Sequence, residues 1–200
     1  MSRAPRGSAR GKILHAAAAL FANQGYTGTS MDDIAAAAGV SKGSIFYHFA
    51  TKEELFTGFV VAAAEAMGSG IGEARAGLRG WEALSAVAEA VLARVDAYSD
   101  EAGILVSEMF RAGRPWGKEI GEARATILRP ITEVLAEISD DRAAAGASHA
   151  PDGAGFDDLG AAVMGALAFA ALDRRTYAPD RDLADVHSRL MMTLSGLVAA

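Results

Sequence analysis

Cysteine is absent from this chain, and long apolar runs are scarce. Without cysteine the chain forms neither disulfides nor thiolate metal sites, which is typical of proteins in a reducing cytoplasm. No stretch approaches 18 apolar residues free of charge, so we predict no membrane span. Arg3, Arg6 and Arg10 precede a segment, Ile13 to Phe21, that contains His15 and has an amphipathic pattern instead of the apolar core of a signal peptide. We therefore expect a cytoplasmic protein.

The residues that are abundant favour a helical fold. Of the 200 residues, 51% are apolar, which is enough for a sizeable core. Alanine, leucine, glutamate and arginine are common, whereas β-branched runs and Asn-Gly hairpin turns are missing. We predict an all-α chain of about nine helices, with a small domain fused to a larger one.

The segment from Thr29 to Leu55 has the pattern of two short helices joined by a tight turn, followed by the start of a third. Ser30 can cap the first helix, and Asp33 three residues later completes a capping box. Gly39 ends that helix because a residue without a Cβ adopts the left-handed conformation at little cost. Ser41 caps the second helix. This pattern predicts a helix-turn-helix.

The second helix of this motif has a polar outer face. Only Ile45 and Phe49 fall on its inner side, which is little apolar surface for a helix that serves packing alone. An ordinary pair of packed helices is the alternative, and the outward polar set argues against it. Such side chains donate hydrogen bonds to phosphates and base edges. The predicted DNA-binding residues are Thr29, Ser30, Ser41, Lys42, Gly43, Ser44, Tyr47, His48 and Lys52.

Two features connect this motif with the DNA backbone. A helix N-terminus offers free N–H groups and a positive dipole to an anion, so we expect Thr29, Ser30 and Lys52 to contact phosphate. The formal net charge is −6, but residues 1–56 carry six Lys or Arg and four Asp or Glu, hence +2, while residues 57–200 carry thirteen and twenty-one, hence −8. A basic end on an acidic body suits a protein that binds DNA through one end.

The N-terminal part of the sequence resembles the tetracycline-repressor (TetR) family of transcriptional regulators. The resemblance rests on Ile13-Leu14, Leu20-Phe21, Gly25-Tyr26, Thr29-Ser30, Asp33-Ile34-Ala35, Ala38-Gly39-Val40-Ser41-Lys42-Gly43, Ile45-Phe46-Tyr47-His48-Phe49 and Lys52-Glu53-Glu54-Leu55. It implies a repressor that binds a palindromic operator as a homodimer and is released by a small effector. The resemblance implies that Tyr47 and His48 reach the DNA backbone and that Lys42 to Ser44 lie nearest the bases. Phe46 departs from the family pattern, which often has tyrosine there.

Several breaks divide the rest of the chain, and we predict domains at residues 1–55 and 56–200. Gly68, Gly70 and Gly72 weakly resemble a nucleotide-binding loop, but no strand precedes them, so we interpret them as a helix end and linker. Pro130 lies inside a predicted helix and should kink it. Residues 139–155 have no apolar period and are expected to form a mobile loop.

The last two predicted helices, over residues 156–175 and 181–198, require an apolar partner. The first is apolar nearly all round, and a helix of that kind must be buried on every side. A second subunit is the expected partner, and the resemblance implies a four-helix bundle between two copies. The predicted dimer-interface residues are Leu159, Val163, Leu167, Val186, Leu190, Leu194 and Leu197.

The resemblance also implies a cavity in the second domain for an apolar or amphipathic effector. Met and Trp side chains adapt to varied apolar shapes, although ordinary core packing is the alternative for each. The candidate ligand-binding residues are Trp81, Met109, Phe110, Trp116, Met164 and Phe169.

Other classes of function have less support. The four histidines show neither the H-x-x-x-H nor the H-E-x-x-H spacing, and no serine lies in a nucleophile elbow. We predict no enzymatic activity, cofactor or metal. A helix-turn-helix that binds only other proteins is the remaining alternative, and a DNA mobility-shift assay separates it from a regulator.

Overall fold

A computed structural model describes residues 8–109, 117–146 and 153–199, and the regular structure within these ranges is entirely helical. The all-α prediction is therefore confirmed. The helices of the described ranges are α1 (Ala9–Gly28), α2 (Met31–Ala38), α3 (Lys42–His48), α4 (Lys52–Ala74), α5 (Gly80–Ala97), α6 (Ser99–Met109), α7 (Gly117–Ala144), α8 (Gly153–Tyr177) and α9 (Leu183–Ala199).

The described residues form two compact units. Within the described ranges, the first draws on residues 8–66, 100–109 and 117–124, and the second on residues 67–99, 125–146 and 153–199. α4 and α7 each continue along the chain from one unit into the other. The domain boundary after residue 55 stays a prediction.

An aromatic cluster forms much of the core of the first unit. The ring of Phe21 lies 5.7 Å from that of Tyr26 and 5.4 Å from that of Phe56, between ring centroids. The backbone at Gly25 has φ 72° and ψ 168°, which interrupts α1 where the sequence predicts its end. This break allows Tyr26 to turn back towards Phe56, at 5.3 Å. The start of α4 is thereby packed on the end of α1.

In the second unit α5 packs against both α8 and α9. Its inner face is buried at Leu84, Val87, Val91 and Val95. These residues follow the i, i+3, i+7 spacing of one helix face, so α5 forms a continuous apolar surface for its neighbours.

Arg174 holds the connection between α8 and α9 against α5. Its guanidinium donates to the carboxylate of Asp96 and to the carbonyl oxygens of Pro179 at 3.2 Å and Arg181 at 2.6 Å. The half-buried Arg174 thus fixes the turn around Pro179, a role that the sequence alone does not predict.

Two glycines of the second unit, Gly68 of α4 and Gly160 of α8, lie where their own helices come close to α7. A Cβ on Gly68 of α4 would lie 3.1 Å from the carbonyl oxygen of Thr126, and one on Gly160 of α8 would lie 2.6 Å from Cγ2 of Thr132. A side chain at either position would require a shift of the threonine that it meets on α7, so glycine serves close packing here.

The helix boundaries correct two predictions. The glycines at 68, 70 and 72 lie inside α4, which continues to Ala74, because Ile71 is fully buried and Arg75 donates to Glu133 and Glu137 of α7 at 2.7 and 2.9 Å. α7 extends to Ala144, into the predicted loop. α8 begins at Gly153, and residues 147–152 lie outside the described residues.

Candidate nucleic-acid interface

The predicted capping box at the start of α2 is present. Ser30 Oγ accepts a hydrogen bond from the backbone N–H of Asp33 at 3.1 Å. In return Asp33 Oδ2 accepts from the backbone N–H of Ser30 at 3.0 Å and from its hydroxyl at 2.6 Å. These hydrogen bonds from Ser30 favour the carboxylate and lower the pKa of Asp33 below its ordinary value.

The turn between α2 and α3 has the geometry that the sequence predicts. Gly39 is left-handed, with φ 65° and ψ 35°, and its N–H donates to the carbonyl oxygen of Ala36 at 3.1 Å. Ser41 then caps α3, because its Oγ accepts from the N–H of Ser44 at 3.1 Å. Caps at Ser30 and Ser41 and the left-handed Gly39 therefore explain where α2 begins and ends and where α3 begins.

α3 presents a solvent-exposed face. Ile45 and Phe49 are buried, at 0% and 2% exposure, whereas Tyr47 is 86% exposed and Phe46 is 43% exposed. Ser41, Lys42 and Gly43 are also exposed, and Ser44 and His48 are half-buried. The face holds hydroxyl, ammonium and imidazole groups and one bare aromatic ring, all of which can contact nucleic acid.

A surface ion pair links α2 and α3. Lys42 Nζ lies 2.8 Å from Asp32 Oδ2, with side-chain exposures of 69% and 62%. An exposed pair of this kind contributes little to stability, so Lys42 can exchange this partner for a phosphate or a base edge at little cost.

Thr29 does not face the solvent, and the predicted phosphate contact of its side chain is wrong. The residue is 2% exposed, and its hydroxyl donates to the carbonyl oxygens of Gly25 at 2.9 Å and Leu20 at 3.3 Å. The hydroxyl is engaged because the break at Gly25 leaves carbonyl groups at the end of α1 that need donors.

Lys52 also has partners inside the protein. Its Nζ donates to the carbonyl oxygens of Tyr26 at 2.8 Å and Thr29 at 2.9 Å. The sequence prediction assigned this ammonium group to phosphate. In the structure this group lies at the end of α1, and its contact with phosphate stays a prediction.

Sequence reasoning overlooked Arg10 as part of this surface. Its guanidinium lies 5.1 Å from the centroid of the Phe49 ring. It borders a depression of about 570 Å³ in the first unit, whose other polar lining residues are His48, Thr51, Glu53, Glu54 and Thr57. The sequence shows only that Arg10 is a basic residue in the first turn of α1, which does not predict its position beside Phe49.

Of the six predicted effector-binding residues, the structure describes the side chains of Trp81, Met164 and Phe169. Trp81 is 37% exposed on α5, and Phe169 is 73% exposed on α8, so Phe169 as a cavity wall is wrong. Met164 is half-buried on α8. Met109 belongs to α6, but its side chain lies outside the described part, as do Phe110 and Trp116 entirely.

The predicted dimer residues divide into two groups. Val163, Leu167, Val186 and Leu194 are 0–7% exposed in a single chain, so they belong to the core of the second unit and their assignment to a dimer surface is wrong. They are buried because α8 and α9 pack on α5. Leu159 is 40% exposed and Leu190 is half-buried, whereas the side chain of Leu197 lies outside the described residues.

Among the described residues of α8 and α9, the large apolar side chains that face the solvent overlap with the predicted dimer residues at Leu159. On α8 and α9 they are Leu159, Phe169, Tyr177 and Met192, at 40%, 73%, 81% and 70% exposure. Small residues, Ala162 and Gly165, are exposed between the first two.

Two further tests concern membranes and metals. By length and composition, α4 and residues 155–177 of α8 are long and apolar enough to cross a membrane. Core helices of soluble proteins have the same length and composition, so this is weak evidence for a membrane span. Among residues 8–109, 117–146 and 153–199, no three His, Asp or Glu side chains are grouped so as to hold a metal ion.

The first unit thus defines a class of protein, the helix-turn-helix DNA-binding proteins, in which the second helix presents a polar face. Residues 13–58 match the family described as bacterial regulatory proteins, tetR family. This match covers about a quarter of the chain, so it shows what the N-terminal unit is similar to.

Individual relatives agree with this assignment. The HTH-type transcriptional repressor KstR2 of Mycobacterium tuberculosis is 50% identical over 48 residues, 24% of this chain and 24% of the relative. The HTH-type transcriptional activator FasR of Mycolicibacterium smegmatis is 38% identical over 73 residues, 36% of this chain and 33% of the relative. The matched segments therefore span a third or less of these curated relatives.

Solved structures resemble the fold of this protein over nearly the whole chain. The transcriptional regulator FadR of Bacillus subtilis, solved in complex with stearoyl-CoA, superposes with a TM-score of 0.76 at 17% identity, over 92% of this chain and 96% of that one. At this identity the likeness concerns the fold.

Proposed function

We propose that this chain is a transcriptional repressor that binds a palindromic operator as a homodimer and releases it when a small apolar or amphipathic effector binds. The exposed polar face of α3, with Tyr47 86% exposed above a buried Ile45, carries the proposal. A helix of seven residues that keeps this face in solvent is suited to the major groove. KstR2, which is 50% identical over 48 residues, is a repressor, and FasR, which is 38% identical over 73 residues, is an activator.

The homodimer is supported by the exposed apolar residues of α8 and α9. Phe169 and Met192 are 73% and 70% exposed in one chain, which is unfavourable in water. A twofold arrangement of α8 and α9 with their copies would bury them and place two α3 helices on one DNA molecule.

An amphipathic effector is supported by the fold. FadR of Bacillus subtilis, which has this fold, was solved with stearoyl-CoA, a molecule with a long acyl chain and a charged head group. We propose an effector of the same chemical character for this chain, acting in the cytoplasm, where a DNA-binding regulator meets its operator. No enzymatic activity is proposed.

The test of DNA binding begins with in vitro selection of double-stranded DNA by the wild-type protein, followed by footprinting of the enriched sequence. We expect protection with twofold symmetry and half-sites about 34–36 Å apart or a multiple of a helical turn. Ser44→Ala should change the preferred sequence. Failure to enrich any sequence, or protection without twofold symmetry, would contradict the proposal.

Effector binding is tested by titrating the protein–operator complex with stearoyl-CoA and with an apolar metabolite library. The emission of Trp81 and Trp116, the two tryptophans of the chain, reports binding in the same titration. Because linkage is reciprocal, an effector that lowers operator affinity tenfold must bind the operator complex tenfold more weakly, about 1.4 kcal/mol of coupling. Effectors that shift emission and leave operator affinity unchanged would contradict release.

A further inference from the structure

The position of Lys52 in its helix requires an explanation. Lys52 is the first residue of α4, where the positive end of the helix dipole disfavours a cation. The next two residues, Glu53 and Glu54, are acidic, as this end of a helix prefers. The stabilisation of the Lys52 ammonium group must therefore come from outside its own helix.

The partners of Lys52 lie at the negative end of α1. Its Nζ donates to the carbonyl oxygen of Tyr26 at 2.8 Å, in the last turn of α1, and to that of Thr29 at 2.9 Å, the residue after the helix. The regular α1 hydrogen bonding ends here, because the N–H of Ser30, four residues beyond Tyr26, donates to the Asp33 carboxylate. Because the break at Gly25 separates this last turn from the rest of α1, the carbonyl oxygens themselves, and not the dipole of the whole helix, attract the cation.

An aromatic ring completes the surroundings of the ammonium group. Nζ lies 4.3 Å from the centroid of the Tyr26 ring, within the range of a cation–π contact. The same ring packs on Phe21 and Phe56 at 5.7 and 5.3 Å, so the contact is attached to the core of the first unit. Two carbonyl oxygens and one ring face thus hold Lys52 within the protein.

These contacts join three elements of the DNA-binding unit. Lys52 begins α4, Tyr26 ends α1, and Thr29 precedes the Ser30 cap of α2. Thr29 is anchored independently, because its hydroxyl donates to the carbonyl oxygen of Gly25. We propose that Lys52 is a positioning residue for DNA recognition: it fixes the α1–α2 corner to the start of α4, and it supports operator affinity through the placement of α2 and α3 instead of through a phosphate contact. This inference rests on the proposed DNA-binding function.

Salt dependence distinguishes positioning from phosphate contact. Each phosphate neutralised contributes about 0.9 to the slope of log affinity against log salt concentration. We therefore compare Lys52→Met, which keeps the length and apolar stem of the side chain, with Lys42→Met as a matched control on the exposed face of α3. The operator is the sequence selected by the wild-type protein.

For Lys52→Met we expect operator affinity to fall about tenfold or more at every salt concentration, with the slope unchanged and Tm lowered by about 3 °C or more. For Lys42→Met we expect a slope smaller by about one per protomer and an unchanged Tm. A Lys52→Met protein with unchanged Tm and a slope reduced as in Lys42→Met would overturn the inference and restore Lys52 as a phosphate contact.

A double-mutant cycle without DNA tests the joint itself. Tyr26→Leu removes the ring and leaves its carbonyl group, so Tyr26→Leu combined with Lys52→Met should cost less stability than the two single changes added together. Additive losses would overturn the contact between them. Wild-type protein that selects no operator would overturn the proposed function and with it the positioning role, whereas the reduced slope described above would overturn the positioning role alone.

Discussion

Replacing Phe169 by serine should weaken self-association without unfolding the protein. Phe169 is 73% exposed on α8, so the single chain gains little from packing it. Full burial of a phenylalanine side chain contributes about 1.5–3 kcal/mol. Since about three quarters of that surface remains to be buried, each copy should contribute about 1–2 kcal/mol to a dimer, and the two symmetry-related copies about 2–4 kcal/mol.

This free energy converts into a measurable change in dimer dissociation. At about 1.4 kcal/mol per factor of ten, Phe169→Ser should raise the dimer Kd by about 30- to 700-fold. Sedimentation velocity over a concentration series measures that change directly. Circular dichroism and thermal unfolding should show an intact fold, because the removed surface faces water in the single chain.

The control is Phe46→Ser, which removes another exposed phenylalanine, at 43% exposure, from α3 of the other unit. Its dimer Kd should match that of the wild type. If Phe169→Ser also dimerises with the wild-type Kd, or if the wild type sediments as a monomer at micromolar concentration, the reasoning that assigns this face to a subunit contact is refuted.

Two further predictions concern stability. Gly160→Ala should cost about 1–3 kcal/mol in urea unfolding, because its Cβ would lie 2.6 Å from Cγ2 of Thr132. Adding Thr132→Ser should recover part of the loss, and Gly165→Ala, whose Cβ has open space, should be neutral or stabilising; equal losses at both glycines would contradict this explanation. Ser30→Ala should raise the pKa of Asp33 towards its ordinary value, measured by NMR titration. Because the folded-state pKa of Asp33 is lowered, its contribution to stability is complete above about pH 4 and is lost as the pH falls through the folded-state pKa, so the wild type should lose more stability on acidification than the variant does. An unchanged Asp33 pKa in the variant would show that Ser30 is not the cause.

Local chemistry explains why the sequence determined the DNA-binding motif. Ser30, Gly39 and Ser41 act on residues within four positions of themselves, as caps and a left-handed turn, so their roles can be inferred from spacing. The inner and outer faces of α3 follow in the same way from helical periodicity, which correctly separated Ile45 from Tyr47. The all-α class was equally determined by composition and pattern.

The tertiary structure decided which polar and apolar groups are available. Lys52 and Tyr26 are 26 positions apart, and only folding brings the ammonium group onto the end of α1. Apolar periodicity marked α8 as needing partners, but it could not distinguish Leu167, which packs inside its own chain, from Phe169, which remains exposed. The reason is physical: an apolar helix face is satisfied equally by a neighbour from the same chain or from another, and a cation is satisfied equally by a carbonyl oxygen or by a phosphate, so only the positions of distant residues settle the choice.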